Sequence, residues 1–258
     1  MAETKMNVQL IAHTQVSRSF LDTFVPFADE TDGQAVALTA IRTCYSANKP
    51  TEIVAEEGAK YFGSKASDGG AGTDADRLFR HIFASKHTST LEHISFTFAI
   101  EGVSRALLAQ LTRHRVGFSF SVQSQRYVRM GRDDRSGGFD YVMPPTVTED
   151  KKVDHSPSLD FTHYISAADH FSDAMEMIQD VYDELRSLGV PAEDARAVLP
   201  NAAATNLVMT VNLTALLSFY SKRKPGKGAQ KEITELAEAL RREVVDVEPW
   251  TDQFFEEV

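Results

Sequence analysis

The run ISFTFAI (94–100) puts Ile94, Phe96, Phe98 and Ile100 at every second position, with smaller or polar residues between them. Successive side chains of a strand point to opposite faces, so this period builds a half-buried strand rather than a helix. Just beyond it the spacing changes. Ser104 stands as an N-cap ahead of SRALLAQLTRHR (104–115), where Leu107, Leu108 and Leu111 recur at helical intervals and can cover a face toward a core. A chain that switches period over so short a stretch joins sheet to helix directly, and the fold class is mixed α+β.

The remaining elements agree with that class. Residues 7–13 (NVQLIAH) predict a strand, Gln34–Ser46 a helix and 76–86 another helix. FSFSVQSQRYV (118–128) predicts a second strand and GRDDRSGG (131–138) an exposed loop. A long helix is expected over about 157–188, a short one over 192–199 and a last one over about 229–246. TNLVMTVN (205–212) reads equally as a strand or as the start of a helix that continues to about Tyr220, with KPGKG (224–228) as its breaker. In the loop 63–74, Gly70, Gly72 and Ala75 match GxGxxA in form, but no apolar strand precedes them, so a dinucleotide-binding turn is not expected there. With no repeat and no long linker, residues 1–258 are expected to form a single domain.

Charge makes one region anomalous. Lys+Arg 27 against Asp+Glu 37 gives a net −10, which disfavours non-specific binding to nucleic acid or a membrane surface. Yet Arg105, Arg113, Arg115, Arg126, Arg129, Arg132 and Arg135 crowd into one stretch. On a helix, Gln110, Arg113 and His114 share a face; on a strand, Ser124 and Arg126 project together. Such a set suits a phosphate-bearing ligand, and it equally suits a solvated face paired with the excess carboxylates. KRKPGK (222–227) is a second basic cluster, without the P-loop pattern. His81, His87, His93 and His114 lack the H-E-x-x-H metal spacing, and no metal site is expected. HTSTLEH (87–93) sets His87, Ser89 and Glu92 just before a strand, as a site loop or as a plain helix-to-strand turn. Cys44, the sole cysteine, falls on an apolar stripe with Ala40 and Ile41 and is expected to be a buried small hydrophobe. The absence of an apolar leader or membrane-length run points to the cytoplasm.

Arg113-His114-Arg115, with Gln110 before it and Ser124, Arg126 and Tyr127 after it, resembles the signature of flavin-dependent thymidylate synthases. LIAHT near the N-terminus, IRTCYS (41–46), HTSTLEHISFTF (87–98) and VPAEDARAVLP (190–200) resemble that family in its order, over about 9–240. The resemblance implies a mixed, mostly antiparallel sheet flanked by long helices, and a homotetramer with active sites between subunits. It implies FAD bound through His87, Ser89, Glu92, Arg113, His114, Arg115, Ser121 and Asn212, with Thr214 and Ser218 at further cofactor-side positions. It implies dUMP held by Gln110, Arg113, Gln123, Ser124, Gln125, Arg126, Arg196 and Arg223, and places Arg223 against the uracil edge as the catalytic residue. The implied reaction is reductive methylation of dUMP to dTMP, with NADPH reducing the flavin, methylenetetrahydrofolate supplying the carbon, and no protein nucleophile. The chain departs from the family pattern in three places. VGFSFSVQ between Arg115 and Ser124 is one residue longer than usual, and the extra residue is expected near Gly117–Phe118. Thr214 and Ser218 replace a common arginine and asparagine, and KPGKGAQ (224–230) is about one residue long. A rival expectation from the residues alone is a nucleotide- or RNA-binding protein without catalysis, with Phe118, Phe120 and Tyr127 as stacking surfaces.

Overall fold

The computed structural model describes residues 2–27, 30–154 and 164–258. Its strands are β1 (Asn7–His13), β2 (Ser95–Ser104), β3 (Phe118–Val122), β4 (Lys152–Asp154), β5 (Tyr164–Ser166) and β6 (Ala204–Asn212). β1, β2, β6 and β3 form one sheet in that order, antiparallel at every pairing, while β4 and β5 pair separately. Residues 205–212 are therefore strand. Leu207, Met209 and Val211 turn inward at period two, and β2 and β3 satisfy the backbone on either side. The register of β2 on β6 shifts between Ile100 and Val103, at Gly102. A Cβ at Gly102 would stand 2.4 Å from the Lys5 carbonyl oxygen, and its φ is +65°, so glycine is required there.

The helices are α1 (Arg18–Leu21), α2 (Asp32–Thr43), α3 (Ile53–Tyr61), α4 (Asp74–Ala84), α5 (Arg105–Leu111), α6 (Ala167–Ser187), α7 (Ala192–Ala195), α8 (Leu213–Arg223), α9 (Lys231–Val247) and α10 (Asp252–Glu257). Thr31 and Thr73 open α2 and α4 with reciprocal capping boxes to Gln34 and Asp76. Sequence periodicity misses α3, whose Glu52 start has no side-chain cap and whose interior holds Gly58, and also α10. The long helix expected from 157 begins instead at Ala167, because Ser166 caps it by accepting from the Asp169 N–H after the β5 strand. Residues 157–163 of that expectation lie outside the described ones. The helix 104–115 stops at Leu111 and the strand 118–128 stops at Val122, with Ser124 to Val128 in a turn.

One face of the sheet, carrying Phe96, Phe98, Ile100, Met209 and Val211, is buried with residues of α2, α4, α8 and α9. On the other face Thr97 and Thr210 share a hydroxyl hydrogen bond, and Val208 is 40% exposed. A smaller cluster joins Met130, Phe139 and Tyr141 to Met175 and Tyr182 of α6 and to Ala195 and Ala203. Fully buried Gln179 ties it together: its Oε1 accepts from the Phe139 N–H and its Nε2 donates to the Met130 carbonyl. Both clusters converge at the start of α5. There buried Glu232 of α9 accepts from the Ser104 N–H (2.7 Å) and Ser104 Oγ (2.6 Å), while that Oγ accepts from the Leu107 N–H.

Replacing Ser104 with Ala removes an N-cap and leaves a buried carboxylate oxygen short of a donor. The two losses together are expected to cost about 2–4 kcal/mol. Chemical denaturation of S104A measures this; a loss below about 0.5 kcal/mol, the size of an ordinary surface substitution, contradicts the assigned role.

Candidate active site

Arg113, His114 and Arg115 occupy the turn between α5 and β3 rather than a helical face, because the His114 N–H already closes on the Leu111 carbonyl. Gln110 therefore shares no continuous helix with Arg113 and His114. The turn is pressed onto the start of α8. A Cβ at Gly117, where φ is +74°, would meet Ala215 Cβ at 2.6 Å and Asn212 Nδ2 at 2.7 Å, and the Asn212 N–H donates to the Gly117 carbonyl. β3 then pairs with β6 from Phe118 to Val122 without a register shift, so no bulge within the strand takes up the extra residue. Asn212 caps α8 by accepting from the Ala215 N–H, the Leu213 N–H donates to the Ile94 carbonyl, and Thr214 Oγ1 donates to the Thr88 carbonyl. HTSTLEH holds a 3-10 turn, Thr88–Leu91, and these bonds clamp it against the arginine turn.

A cavity of about 370 Å³ results, lined in part by Glu92, Arg113, His114, Arg115, Asn212 and Thr214, with Ser218 and Lys222 also at its wall. His114 lies edge-on to Phe219 at 5.0 Å. Burial pushes its imidazole pKa below the ordinary value, and Arg223, Lys222 and Arg113 push it the same way, which favours the uncharged ring. Positive charge in this wall thus belongs to the arginines and Lys222, reinforced by the N-terminus of α8. Neither Arg113 nor Arg115 meets a carboxylate among the described residues. Arg223 ends α8, and its Nε is buried without a hydrogen-bond partner.

A second, larger cavity of about 740 Å³ borders the same 3-10 turn, with His87, Ser89, Thr90 and His93 on one side and Val36, Thr39, Ala40, Thr43 and Cys44 of the α2 end on the other. The His87 Nδ1 and Tyr45 hydroxyl share a 3.0 Å hydrogen bond. Cys44 is exposed, contrary to the expectation of a buried hydrophobe: α2 ends at Thr43, so Cys44 lies at the cap and lines this cavity with Ala40, while Ile41 of the same stripe is buried in the core. Among the described residues its thiol reaches only the Ala40 carbonyl, at 3.8 Å.

The residues that the resemblance gives to dUMP fall into two groups at opposite ends of α5, a helix about 10 Å long. At its C-terminal end Gln110 donates to Gln230 of the loop before α9. Near its N-terminal end the turn after β3 meets α7. Arg126 pairs with Glu193 at 2.8 Å, and Arg196 Nε donates to the Glu193 carbonyl. Arg105 belongs here too, because the Arg196 charge reaches its half-buried guanidinium, and it meets no carboxylate among the described residues. Ser124 and Arg126 do not alternate along a strand; Ser124 Oγ accepts from the Arg126 N–H within the turn. Gln125 is 7% exposed with its Nε2 unpartnered, Gln123 pairs with Asn206, and Ser121 stands exposed on β3 apart from both cavities. Of the seven clustered arginines, Arg126 and Arg132 form salt bridges, Arg132 with Glu176, Asp180 and Asp183 on α6. Glu193, Tyr45 and Gln230 are contacts that sequence reading missed. Each lies inside a segment the sequence singles out, Tyr45 in IRTCYS (41–46), Glu193 in VPAEDARAVLP (190–200) and Gln230 in KPGKGAQ (224–230), but nothing local marks its partner.

Residues 27–250 match the Thy1 family model, described as thymidylate synthase complementing protein. The chain is 38% identical over 218 residues to the flavin-dependent thymidylate synthase of Geobacter sulfurreducens, covering 84% of this chain and 80% of that one. It is 35% identical over 248 residues to the enzyme of the same name from Nitratidesulfovibrio vulgaris, covering 93% and 82%. Among solved structures, a UMP/dUMP methylase, PolB from Streptomyces cacaoi, bound with 5-Br dUMP, superposes with a TM-score of 0.69 at 20% identity over 99% of this chain and 97% of that one, a likeness of fold.

Because neighbouring cations depress the His114 pKa, replacing Lys222 with Met is expected to raise it. An NMR titration of the ring resonances measures this; an unchanged or lower midpoint contradicts the electrostatic account.

Proposed function

The chain belongs to the family of flavin-dependent thymidylate synthases and is an enzyme of the methyltransferase kind, and from that premise we propose that it converts dUMP to dTMP without a protein nucleophile. When bound, FAD reduced by NADPH supplies the hydride, and methylenetetrahydrofolate supplies the carbon. The observation that carries this reading is the meeting of two unlike cavities at one 3-10 turn. The wall with Arg113, Arg115 and Lys222 suits the phosphates of an extended cofactor, and the more apolar wall with His87 and Ser89 suits a ring system. Glu92, His114, Asn212, Thr214 and Ser218 complete the wall that would hold it.

In this reading Arg223 acts on the uracil. A buried Nε–H without an acceptor is a donor held ready, and a guanidinium there favours negative charge developing at N3 and O4 of the ring. Burial and the neighbouring cations disfavour a charged His114 beside it. Arg126, Arg196 and Arg105 take the phosphate, with Ser124 and Gln125 in the adjoining turn. Gln110, Arg113 and Gln123 orient the nucleoside. Cys44 has no base within hydrogen-bond reach among the described residues, which supports chemistry without a thiolate.

We place the active sites between subunits of a homotetramer in the cytoplasm. Sites shared among copies would unite the two dUMP groups that one chain holds apart. Met177, Val181 and Leu188 also form an exposed apolar stripe on and just past α6, which suits contact with another copy. No helix among the described residues is long and apolar enough to cross a membrane.

The purified protein is expected to retain FAD after desalting and to bleach anaerobically with NADPH and dUMP, which separates it from a nucleotide-binding protein without catalysis. Arg223→Ala should lower turnover by about 10²-fold or more with the fold intact by circular dichroism; unchanged turnover removes its role. Arg126→Ala should weaken dUMP binding far more than FAD binding, and equal losses in calorimetric titrations argue against the phosphate assignment. Cys44→Ser should keep turnover within a few-fold, whereas its abolition would make the thiol a nucleophile.

A further inference from the structure

Glu193 holds two of the arginines just assigned to the phosphate. Its carboxylate pairs with Arg126 through Nη2 at 2.8 Å and Nε at 3.0 Å, and its carbonyl accepts from Arg196 Nε at 3.0 Å. Both partners of the ion pair stand about half in solvent, at 51% and 48% exposure, so the pair adds little to stability and its presence calls for another account. Arg105 is the third cation of the group. It starts α5, where its N–H donates to the Ala203 carbonyl and the next N–H donates to the Asn201 carbonyl, so its backbone cannot drift away from the segment after Arg196. No acceptor among the described residues meets its guanidinium. Beside this group, in the turn that carries Arg126, the buried Gln125 presents an Nε2 donor without a partner. Asp194, next to Glu193, pairs with none of the three arginines.

Three guanidiniums and one carboxylate leave a net charge of +2. A phosphate monoester carries about −2 at pH 7; a diphosphate or triphosphate carries more. We propose that Glu193 sets the charge of this site to that of a nucleoside monophosphate, so that it selects dUMP against the corresponding diphosphate and triphosphate. The Glu193 carboxylate keeps Arg126 in place and neutralises one cation, while its main-chain carbonyl holds Arg196. A monophosphate then balances the remainder, while each further phosphate charge meets the Glu193 carboxylate without a cation left to offset it. This inference rests on the reading of dUMP as substrate and adds the group that restricts it.

The test is calorimetric titration of the full-length wild-type protein and of Glu193→Gln with dUMP, dUDP and dUTP at low salt. Wild type should bind dUMP most tightly. In E193Q the dUTP-to-dUMP ratio of Kd values should fall about fivefold, a modest figure because the pair is half exposed, and nucleotide affinity should fall more steeply with added salt than in wild type. An unchanged ratio overturns the proposal, as does a uniform loss of affinity for all three nucleotides, which would make Glu193 a brace alone. A wild-type protein that binds none of the three removes the substrate reading, and this proposal with it. Glu193→Asp, which keeps the charge, should restore most of the wild-type ratio; a ratio like that of E193Q would overturn the role of charge.

Discussion

The end of β6 is the point from which the candidate site is hung. Pairing β6 between β2 and β3 leaves Asn212 as the last ladder residue and, at once, the cap of α8. Its N–H closes on Gly117 and the next one on Ile94, so the arginine turn and the strand after the histidine block are bonded to adjacent residues. A sheet-to-helix junction has backbone groups that must find partners. Here they find them in the two loops to which the proposed function assigns the cofactor. The positions of Arg113, His114 and Glu92 relative to one another therefore follow from backbone hydrogen bonds rather than from their own side-chain contacts.

The same device appears at the start of α5, where a strand again runs into a helix without a loop. Ser104 ends β2 and caps α5, and Glu232 satisfies it from α9. Each junction is rigid because neither has slack, and each points a cationic group outward: Arg105 directly after one, the Arg113–Arg115 turn against the other. In a chain of net −10 these cations have carboxylates enough to meet. That several meet none among the described residues is a property of where the backbone holds them, and the proposed binding surface rests on it.

Much of this could be seen in the residues. Period two over 94–100, the Ser104 cap and the helical leucines located β2 and α5 because those signals are local. What failed was range. Periodicity alone carries the helix to Arg115 and the strand to Val128, because nothing in a periodic pattern marks where a local turn closes it early. The His114 N–H folds back on Leu111, and the Val128 N–H on Ser124. Cys44 departs from its expectation for the same reason: periodicity groups it with Ile41, but α2 ends at Thr43, so Ile41 meets the core while Cys44 lines the cavity. Glu193 was invisible as a partner of Arg126 because the two are far apart in sequence and their pairing is made by the docking of α7 against the turn after β3.

The contrast between the two kinds of arginine bears on how such a protein works. Arg132 is tied to three acidic residues on α6, an arrangement that fixes a loop and has no vacancy for a ligand. Arg223 has the opposite situation: a buried Nε, no acceptor among the described residues, and a neighbouring imidazole whose pKa burial and the cations lower. Leaving a buried donor unpaired costs stability, and such a cost is tolerated where the missing acceptor arrives with a ligand. Arg126 lies between these extremes, held by one half-exposed carboxylate that a stronger anion can outcompete. On the proposed reading the three arginines form a graded series from scaffold through exchangeable contact to poised donor, and burial together with the supply of carboxylates sets the place of each.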